Sequence, residues 1–220
     1  MDPHMQSPSR WTPPTPCPTR FEANGLVVRS YVASDADDLF GAIDESRSSL
    51  LPWLPWAEHQ HRSSAESAIS IDYFAKAREN LLAPELGIVG LVCGVFCART
   101  SRLLGGTGVN RIQAPRHNGE IGYWVRASER RKGVCARAAA AMISWCFTPQ
   151  AQGGFGLRRV HIFAAVPNKA SVGVATKLGL HCFGRMRQDR FEIGLGWVDT
   201  LGWDVVADEW DLNNHARYTP

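Results

Sequence analysis

Residues 119–147 of the chain read GEIGYWVRASERRKGVCARAAAAMISWCF. The pattern predicts a strand over residues 120–125, a short polar turn, and a helix that Gly133 opens and that meets no proline before Pro149. Four consecutive alanines, residues 138–141, and apolar residues on nearly every side indicate a helix packed closely against a sheet. The strand, turn and helix form the centre of the predicted fold.

The turn before this helix is strongly basic. Between Arg126 and Arg137 there are five basic residues and one acidic residue, Glu129, so the local charge is +4. Unpaired N–H groups and the positive dipole end make a helix N-terminus attractive to anions, and glycine lets a ligand approach the backbone closely. We therefore predict phosphate binding here. The residues alone leave open the alternative of a solvated basic loop with a glycine at the helix start.

The loop sequence resembles a known family. Residues 130–136, RRKGVCA, resemble the acyl-CoA pyrophosphate loop of the GNAT superfamily of N-acetyltransferases, whose pattern is Arg/Gln-x-x-Gly-x-Gly/Ala. The preceding GEIGYWV is similar to the fourth strand of the RimJ/RimL-like branch, which acts on protein N-termini and small amines. Cys135 stands where the family has Gly or Ala; cysteine is small and the loop binds through backbone N–H groups, so binding should persist. The resemblance covers residues 25–210 and implies acetyl-CoA as the cofactor.

The resemblance also implies an acetyl-transfer site. An oxyanion would meet a backbone N–H near Trp124 and Val125, where the fourth and fifth strands splay apart around the pantetheine arm. Residues 167–171, PNKAS, are similar to the branch's Asn-x-x-Ser motif, in which the asparagine bonds pantetheine and the serine donates to the sulfur. Ala175 stands where many GNAT enzymes have a tyrosine, which makes Ser171 the only local donor. The predicted cofactor-binding residues are Trp124, Val125, Arg126, Arg130, Arg131, Lys132, Gly133, Val134, Cys135, Ala136, Asn168 and Ser171.

Capping of the following helix is the alternative role for Asn168 and Ser171. Glu120 is the first candidate for the general base, acting through a water; the two predicted catalytic residues are thus Ser171 and Glu120. A second carboxylate of RimL-like proteins has no counterpart, because Arg190 stands at its place, next to Asp189.

The acceptor side has two further features. Residues 50–56, LLPWLPW, hold two prolines and two tryptophans, and RimJ/RimL-like proteins carry a similar segment where the acceptor approaches. The alternative is a loop pinned to the core by its tryptophans. The predicted substrate-side residues are Trp53, Trp56, Glu120 and Asp189.

Composition narrows the class of protein. A chain of 220 residues fits one domain, and a net charge of +3 with a pI near 8.6 is too mild for a nucleic-acid protein. The six cysteines form no Cys-x-x-Cys pair, which predicts reduced thiols and no metal site. No stretch has the apolar length of a membrane span or the apolar core of a signal peptide, so we expect a cytoplasmic protein.

The rest of the chain predicts a mixed α/β, GNAT-like fold. Its sheet would be twisted and mostly antiparallel, with about seven strands splayed between the fourth and fifth and about four flanking helices. Residues 1–20, rich in proline, serine and threonine, are predicted to be a disordered or extended N-terminal extension, of which 1–4 look like a vector remnant; 21–220 would be one domain. Strands are predicted at 26–31, 86–99, 109–112, 120–125, 157–166, 182–187 and 203–210; helices at 35–46, 63–80, 133–147 and 169–178.

These features predict an acetyl-CoA-dependent N-acetyltransferase, an acyltransferase that acts by direct transfer in a ternary complex. The acceptor would be a primary amine, either a protein N-terminal α-amine or a small molecule. Transfer of a longer acyl chain, or a non-catalytic module that binds CoA, is the alternative. The sequence does not decide the oligomeric state and leaves a homodimer open.

Overall fold

The computed structural model describes residues 10–23, 25–79, 81 and 90–212 of the chain. The predicted vector remnant at 1–4 and the first residues of the strand predicted over 86–99 lie outside these ranges. The described strands are β1 Arg20–Ala23, β2 Leu26–Arg29, β3 Leu91–Cys97, β4 Leu103–Gln113, β5 Asn118–Val125, β6 Arg159–Ala165, β7 His181–Glu192 and β8 Gly196–Val206. The described α-helices are α1 Ala36–Asp44, α2 Arg47–Leu50, α3 Trp56–His59, α4 Ser64–Glu79, α5 Val134–Phe147 and α6 Lys169–Lys177.

The eight described strands form one sheet in the order β1-β2-β3-β4-β5-β6-β8-β7. Every neighbouring pair is antiparallel except β5 and β6, which confirms the predicted mostly antiparallel sheet. The parallel pairing between β5 and β6 is short and ends at Glu120 opposite His161. Beyond that pair the two strands part, so the splay lies between the same two segments that the sequence predicted.

The sheet separates two apolar clusters, as strand alternation requires. On one face α5 packs against β-strand residues such as Val28, Ile121 and Val160. On the other face α1 and α4 pack over Val27 and Phe96. Adjacent strand residues thus point into different layers. Alternate side chains of β5 therefore face opposite sides of the sheet.

Helix α5 is almost entirely buried, as its composition predicted. Its four consecutive alanines are at most 2 % exposed, and their small side chains allow the helix axis to lie close to the sheet. Trp145 fills the far end of the helix, where its ring lies 5.4 Å from that of Phe155. The helix is therefore packed against the sheet along its whole length.

The glycine cluster at 105–108 lies inside β4, which begins at Leu103, six residues before the start of the strand predicted over 109–112. The turn between β3 and β4 falls at residues 98–102. A Cβ added to Gly106 would overlap the Trp124 indole, and one added to Gly108 would overlap the backbone of Leu91. These glycines serve close packing within the sheet rather than chain reversal.

The N-terminal extension is partly packed. Residues 10–19 contain no helix or strand, but Trp11 is only 4 % exposed and its Nε1 donates to the Phe155 carbonyl oxygen at 2.7 Å. The expectation of disorder or extension up to residue 20 therefore misses this anchor. The hairpin of β7 and β8 is also longer than the strands predicted for it, because polar and exposed apolar residues continue both strands past the domain body.

All six cysteines are free thiols. Among the described helices, none is both long and apolar enough to cross a lipid bilayer.

Candidate active site

A cleft of about 1280 Å³ opens where β5 and β6 part. Its walls come from β5, the turn after β5, the first turn of α5, the end of β6, and the N-terminal part of α6. Residues 49–54, which run from the end of α2 toward α3, close one side. The break in pairing beyond Glu120 thus produces an opening in which an extended ligand can lie between the strands.

The N-terminus of α5 faces this cleft. Gly133 is the N-cap residue, with φ +73°, a left-handed conformation that favours glycine, and a Cβ there would meet no atom within 4 Å. Val134, Cys135 and Ala136 follow it along the cleft wall. The N–H groups of this first turn have no acceptor within the helix, so they are available to an anion.

The charges around the loop are divided between the cleft and the loop itself. Arg130 and Arg131 line the cleft. Lys132, predicted with them, pairs with Glu129 at 3.0 Å and lies outside the cleft lining of the described residues. Glu129 also pairs with Arg102 at 3.1 Å. Two arginines and an open helix start fit a diphosphate group, and Lys132 shapes the loop.

Arg126, predicted to bind the cofactor, lies elsewhere. It is 8 % exposed, and its guanidinium contacts Asp38 at 2.6 Å and Glu45 at 3.0 Å, both from the α1 region. Glu45 also accepts a hydrogen bond from Ser128 Oγ at 2.8 Å. The side chain therefore ties the loop to α1, and a buried, doubly paired guanidinium is not available to a phosphate.

Cys135 occupies the position at which the loop departs from the family pattern. Burial raises the pKa of its thiol to about 12, so the side chain stays neutral at physiological pH. A small neutral side chain leaves the charge and the backbone N–H groups of the loop unchanged.

Glu120 lies at the closed end of the splay. Its side chain lines the cleft, is 20 % exposed, and accepts a hydrogen bond from Arg111 Nη1 at 3.0 Å. Arg111 sits in a bulge of β4 with φ +48°. The bulge turns the guanidinium toward the carboxylate, and no pattern in the sequence signals this.

The backbone of β5 presents one N–H group to the gap beside β6, and this group is a candidate oxyanion donor. Arg126 N donates to Leu104 O on β4 at 2.8 Å. Because successive N–H groups of a strand point to opposite edges, Trp124 N–H also points toward β4, whereas Val125 N–H points into the gap beside β6. Trp124 and Val125 both line the cleft.

Asn168 and Ser171 lie together at the N-terminus of α6. Asn168 Oδ1 accepts from Ser171 N at 3.1 Å, which is the capping role left open by the sequence, and both side chains also line the cleft. Ser171 Oγ lies 3.1 Å from the Tyr123 hydroxyl of β5. Capping and ligand contact are therefore compatible, with the amide nitrogen of Asn168 as the group left for a ligand.

The structure separates the predicted substrate-side residues. Trp53 lines the cleft, and Trp56 instead packs edge-to-face on Trp124, 6.3 Å between centroids. Asp189 is exposed on β7 and is not among the described residues that line the cleft. Its neighbour Arg190 lines the cleft instead. The acceptor side is thus bounded by one tryptophan and an arginine, with Glu120 deeper inside.

Two side chains that contact candidate catalytic residues, Arg111 and Tyr123, were not predicted from the sequence. No sequence pattern indicates the contact of Arg111 with Glu120. Tyr123 belongs to the recognised GEIGYWV segment, and alternation along β5 could have placed it on the face opposite Glu120, toward α5 and α6. His161 of β6 lies opposite Glu120. Burial and the nearby Arg159 lower the pKa of its imidazole to about 4, so the ring is neutral near pH 7.

Comparison with known proteins identifies the family of the chain. The family described as "Acetyltransferase (GNAT) domain" matches residues 26–181. "Putative ribosomal N-acetyltransferase YdaF" of Bacillus subtilis (strain 168) is 23% identical over 188 residues, which is 84% of this chain and 93% of that protein.

Two solved structures share the fold. The ribosomal-protein-S5-alanine acetyltransferase from Vibrio fischeri has a TM-score of 0.72 and 22% identity, over 88% of this chain and 99% of that one. Mycobacterium smegmatis RimJ in complex with CoA-disulfide has a TM-score of 0.73 and 18% identity, over 91% of each chain. The predicted fold and the RimJ/RimL-like resemblance are confirmed, and the chain belongs to the GNAT acetyltransferases, enzymes that use acetyl-CoA.

Proposed function

We propose that this enzyme transfers the acetyl group of acetyl-CoA directly to a primary α-amine, with a protein N-terminus as the acceptor. The observation that supports this proposal most strongly is that a carboxylate and a hydroxyl pair reach the gap between β5 and β6 from opposite faces of β5. Glu120 lies on one face of β5, and Tyr123 and Ser171 meet on the other. A base for the amine and a donor for the sulfur thus approach the gap from opposite sides.

The cofactor would be held by groups already described. Acetyl-CoA supplies an acetyl thioester, and its diphosphate would lie against the N–H groups after Gly133, beside Arg130 and Arg131. Val125 N–H would donate to the thioester oxygen as negative charge develops on it. The side chains that line the widening gap would exclude water around the pantetheine arm.

Glu120 would accept the proton of the incoming ammonium group, directly or through a water. The Arg111 guanidinium orients the carboxylate, and Arg111 itself is 77 % exposed, so the pair remains in contact with solvent. A water chain can therefore carry the proton away. Ser171 Oγ would donate a hydrogen bond to the sulfur as it becomes negatively charged.

An α-amine suits this site better than a lysine. The α-amine has a pKa of about 8 and is partly neutral at physiological pH. A lysine amine, with a pKa of about 10.4, is almost fully protonated there and depends much more on a base to remove its proton. A single partly exposed carboxylate, that of Glu120, is therefore a sufficient base for an α-amine. The relatives named as ribosomal N-acetyltransferases support a protein N-terminus, and such an acceptor would locate the reaction in the cytoplasm.

An acceptor screen tests the proposal. Release of free thiol from acetyl-CoA is followed with peptides bearing free N-termini, the same peptides with a blocked N-terminus and a free lysine, and small primary amines. We expect turnover with the free N-termini only. Turnover confined to small amines would show that the acceptor is a small molecule and not a protein N-terminus. CoA binding without turnover of any amine would favour a non-catalytic module, and faster release from longer acyl-CoA thioesters would favour a different acyl donor.

Glu120→Gln is expected to lower kcat/KM for the amine roughly 10- to 100-fold, near the lower end of a general-base contribution, because the amine is already partly neutral. The loss should shrink as pH rises and more amine is neutral. Steady-state kinetics between pH 6 and 9 measure it.

Glu22→Gln is the matched control, since Glu22 also lies on a strand and pairs with an arginine, Arg20, at 2.6 Å, but far from the cleft. We expect it to leave kinetics unchanged. Equal effects of the two substitutions, or a loss for Glu120→Gln that is independent of pH, would remove Glu120 from the role of base.

A further inference from the structure

Tyr123 makes a double contact with Ser171 that the proposed reaction does not use. Its hydroxyl oxygen lies 3.1 Å from Ser171 Oγ and 3.2 Å from the Ser171 carbonyl oxygen. The two residues come from different elements, β5 and α6, and both line the cleft. The contact therefore joins β5 and α6 within the cleft wall, at the residue proposed to donate to the sulfur.

The Tyr123 phenol has one proton, and two oxygens of Ser171 lie within hydrogen-bond distance of it. The carbonyl oxygen can only accept that proton, whereas Oγ can accept or donate. A phenol proton shared between these two oxygens is the arrangement that leaves the Ser171 hydroxyl proton free. Burial raises the pKa of Tyr123 well above its usual range, which keeps the phenol proton in place at every physiological pH. A hydroxyl that accepts from Tyr123 has its own proton left to donate elsewhere.

The backbone of Ser171 is fixed as well. Its N–H donates to Asn168 Oδ1 at 3.1 Å, and its carbonyl oxygen receives the phenol. Only rotation about the Cα–Cβ bond remains, and the phenol restricts it by holding Oγ. One turn later in the helix stands Ala175, fully buried, which offers no competing donor.

We propose that Tyr123 is a positioning residue that aims the Ser171 hydroxyl at the sulfur of bound coenzyme A. The inference rests on the proposed function, in which Ser171 stabilises the departing thiolate. No proton leaves Tyr123: the phenol donates a hydrogen bond to Ser171, and Ser171 donates one to the sulfur. When the carbon–sulfur bond breaks, its electron pair stays on sulfur, where this second hydrogen bond strengthens.

Kinetics of three variants test the coupling. Ser171→Ala is expected to lower kcat roughly 10- to 100-fold, the range of one hydrogen bond to a charged group, with a smaller change in the acetyl-CoA KM. Tyr123→Phe keeps the ring and removes the hydroxyl, and we expect roughly a 3- to 10-fold loss in kcat. The double variant should be no slower than Ser171→Ala, because the two residues act as one unit.

Tyr31→Phe is the matched control, since Tyr31 is a buried tyrosine on the opposite side of the sheet, 6 % exposed. It should leave kcat unchanged. A purely structural role for the Tyr123 hydroxyl would instead give unchanged kcat for Tyr123→Phe, or losses that multiply in the double variant, and either result overturns the proposal.

A titration without turnover separates this inference from the proposed function. The thiol of bound CoA is titrated by its thiolate absorbance in the wild-type protein and in the variants. We expect a lowered thiol pKa in the wild type, a value close to that of free CoA in Ser171→Ala, and an intermediate value in Tyr123→Phe.

The two failures are then distinct. A lowered, Tyr123-dependent thiol pKa without turnover of any amine would contradict the proposed acceptor chemistry and support the role of Tyr123 in positioning Ser171. Turnover of free N-termini, with a bound thiol that titrates identically in wild type and Tyr123→Phe, would support the proposed function and contradict that role of Tyr123.

Discussion

The Gly133→Glu variant is expected to bind acetyl-CoA about a thousandfold more weakly than the wild type. The new carboxylate would stand in the space in front of the α5 N-terminus, where Gly133 leaves at least 4 Å free. It would compete for the N–H groups of the first turn and repel the diphosphate, and loss of about two charge-assisted hydrogen bonds accounts for this magnitude. Isothermal titration calorimetry with acetyl-CoA measures it.

The control for this variant is Gly153→Glu. Gly153 has φ +79° and equally open space around its missing Cβ, and it follows α5 at the other end. Both substitutions therefore impose the same left-handed backbone cost on a charged residue. We expect Gly153→Glu to lose some stability and to bind acetyl-CoA normally. Unchanged affinity in Gly133→Glu would show that the diphosphate lies elsewhere, and would remove the basis of the proposed site.

The Trp11→Ala variant is expected to lower the free energy of unfolding by about 3 kcal/mol, the cost of replacing a buried tryptophan with alanine. Trp11 is 4 % exposed among the residues around α5, and its Nε1 donates to the Phe155 carbonyl oxygen. The substitution would leave a cavity and would remove one of the two donors to this oxygen, since Gln150 Nε2 also donates to it at 3.2 Å. Urea denaturation followed by circular dichroism measures the change.

Trp197→Ala provides the comparison, because Trp197 is 64 % exposed on the β7–β8 hairpin. Removing it should change the free energy of unfolding by less than about 0.5 kcal/mol, as for most surface substitutions. If Trp11→Ala is as stable as Trp197→Ala, residues 10–19 contribute nothing to the core, and the prediction of an unstructured extension holds for them too.

The buried Arg126 shows why charge in a sequence does not identify a ligand contact. By sequence it belongs to the same basic run as Arg130 and Arg131, and nothing local sets it apart. In the structure its partner Asp38 lies 88 positions away, and a guanidinium that already pairs with Asp38 and Glu45 is not available to a phosphate. Its contribution to the site is indirect, through the position of the loop.

The acceptor side was harder to predict than the cofactor side, for a related reason. Residues of the proposed phosphate loop would act through their own backbone, and the pattern of a glycine before a helix is enough to predict such a loop. The acceptor side is assembled from side chains of separate strands, and there Arg190 rather than Asp189 lines the cleft. Which of two adjacent strand residues faces a cleft depends on register, and bulges between β7 and β8 shift that register.

The sequence by itself determined the strand, turn and helix at residues 119–147, the open helix start at Gly133, and the cap that joins Asn168 to Ser171. Each is local, because its hydrogen bonds and backbone angles connect residues only a few positions apart. Only the tertiary structure decided that Glu120 meets Arg111, that Trp11 is buried, and that Tyr123 reaches Ser171, 48 positions later. Such contacts depend on how strands pair and helices pack, and the identity of the residues does not encode them locally.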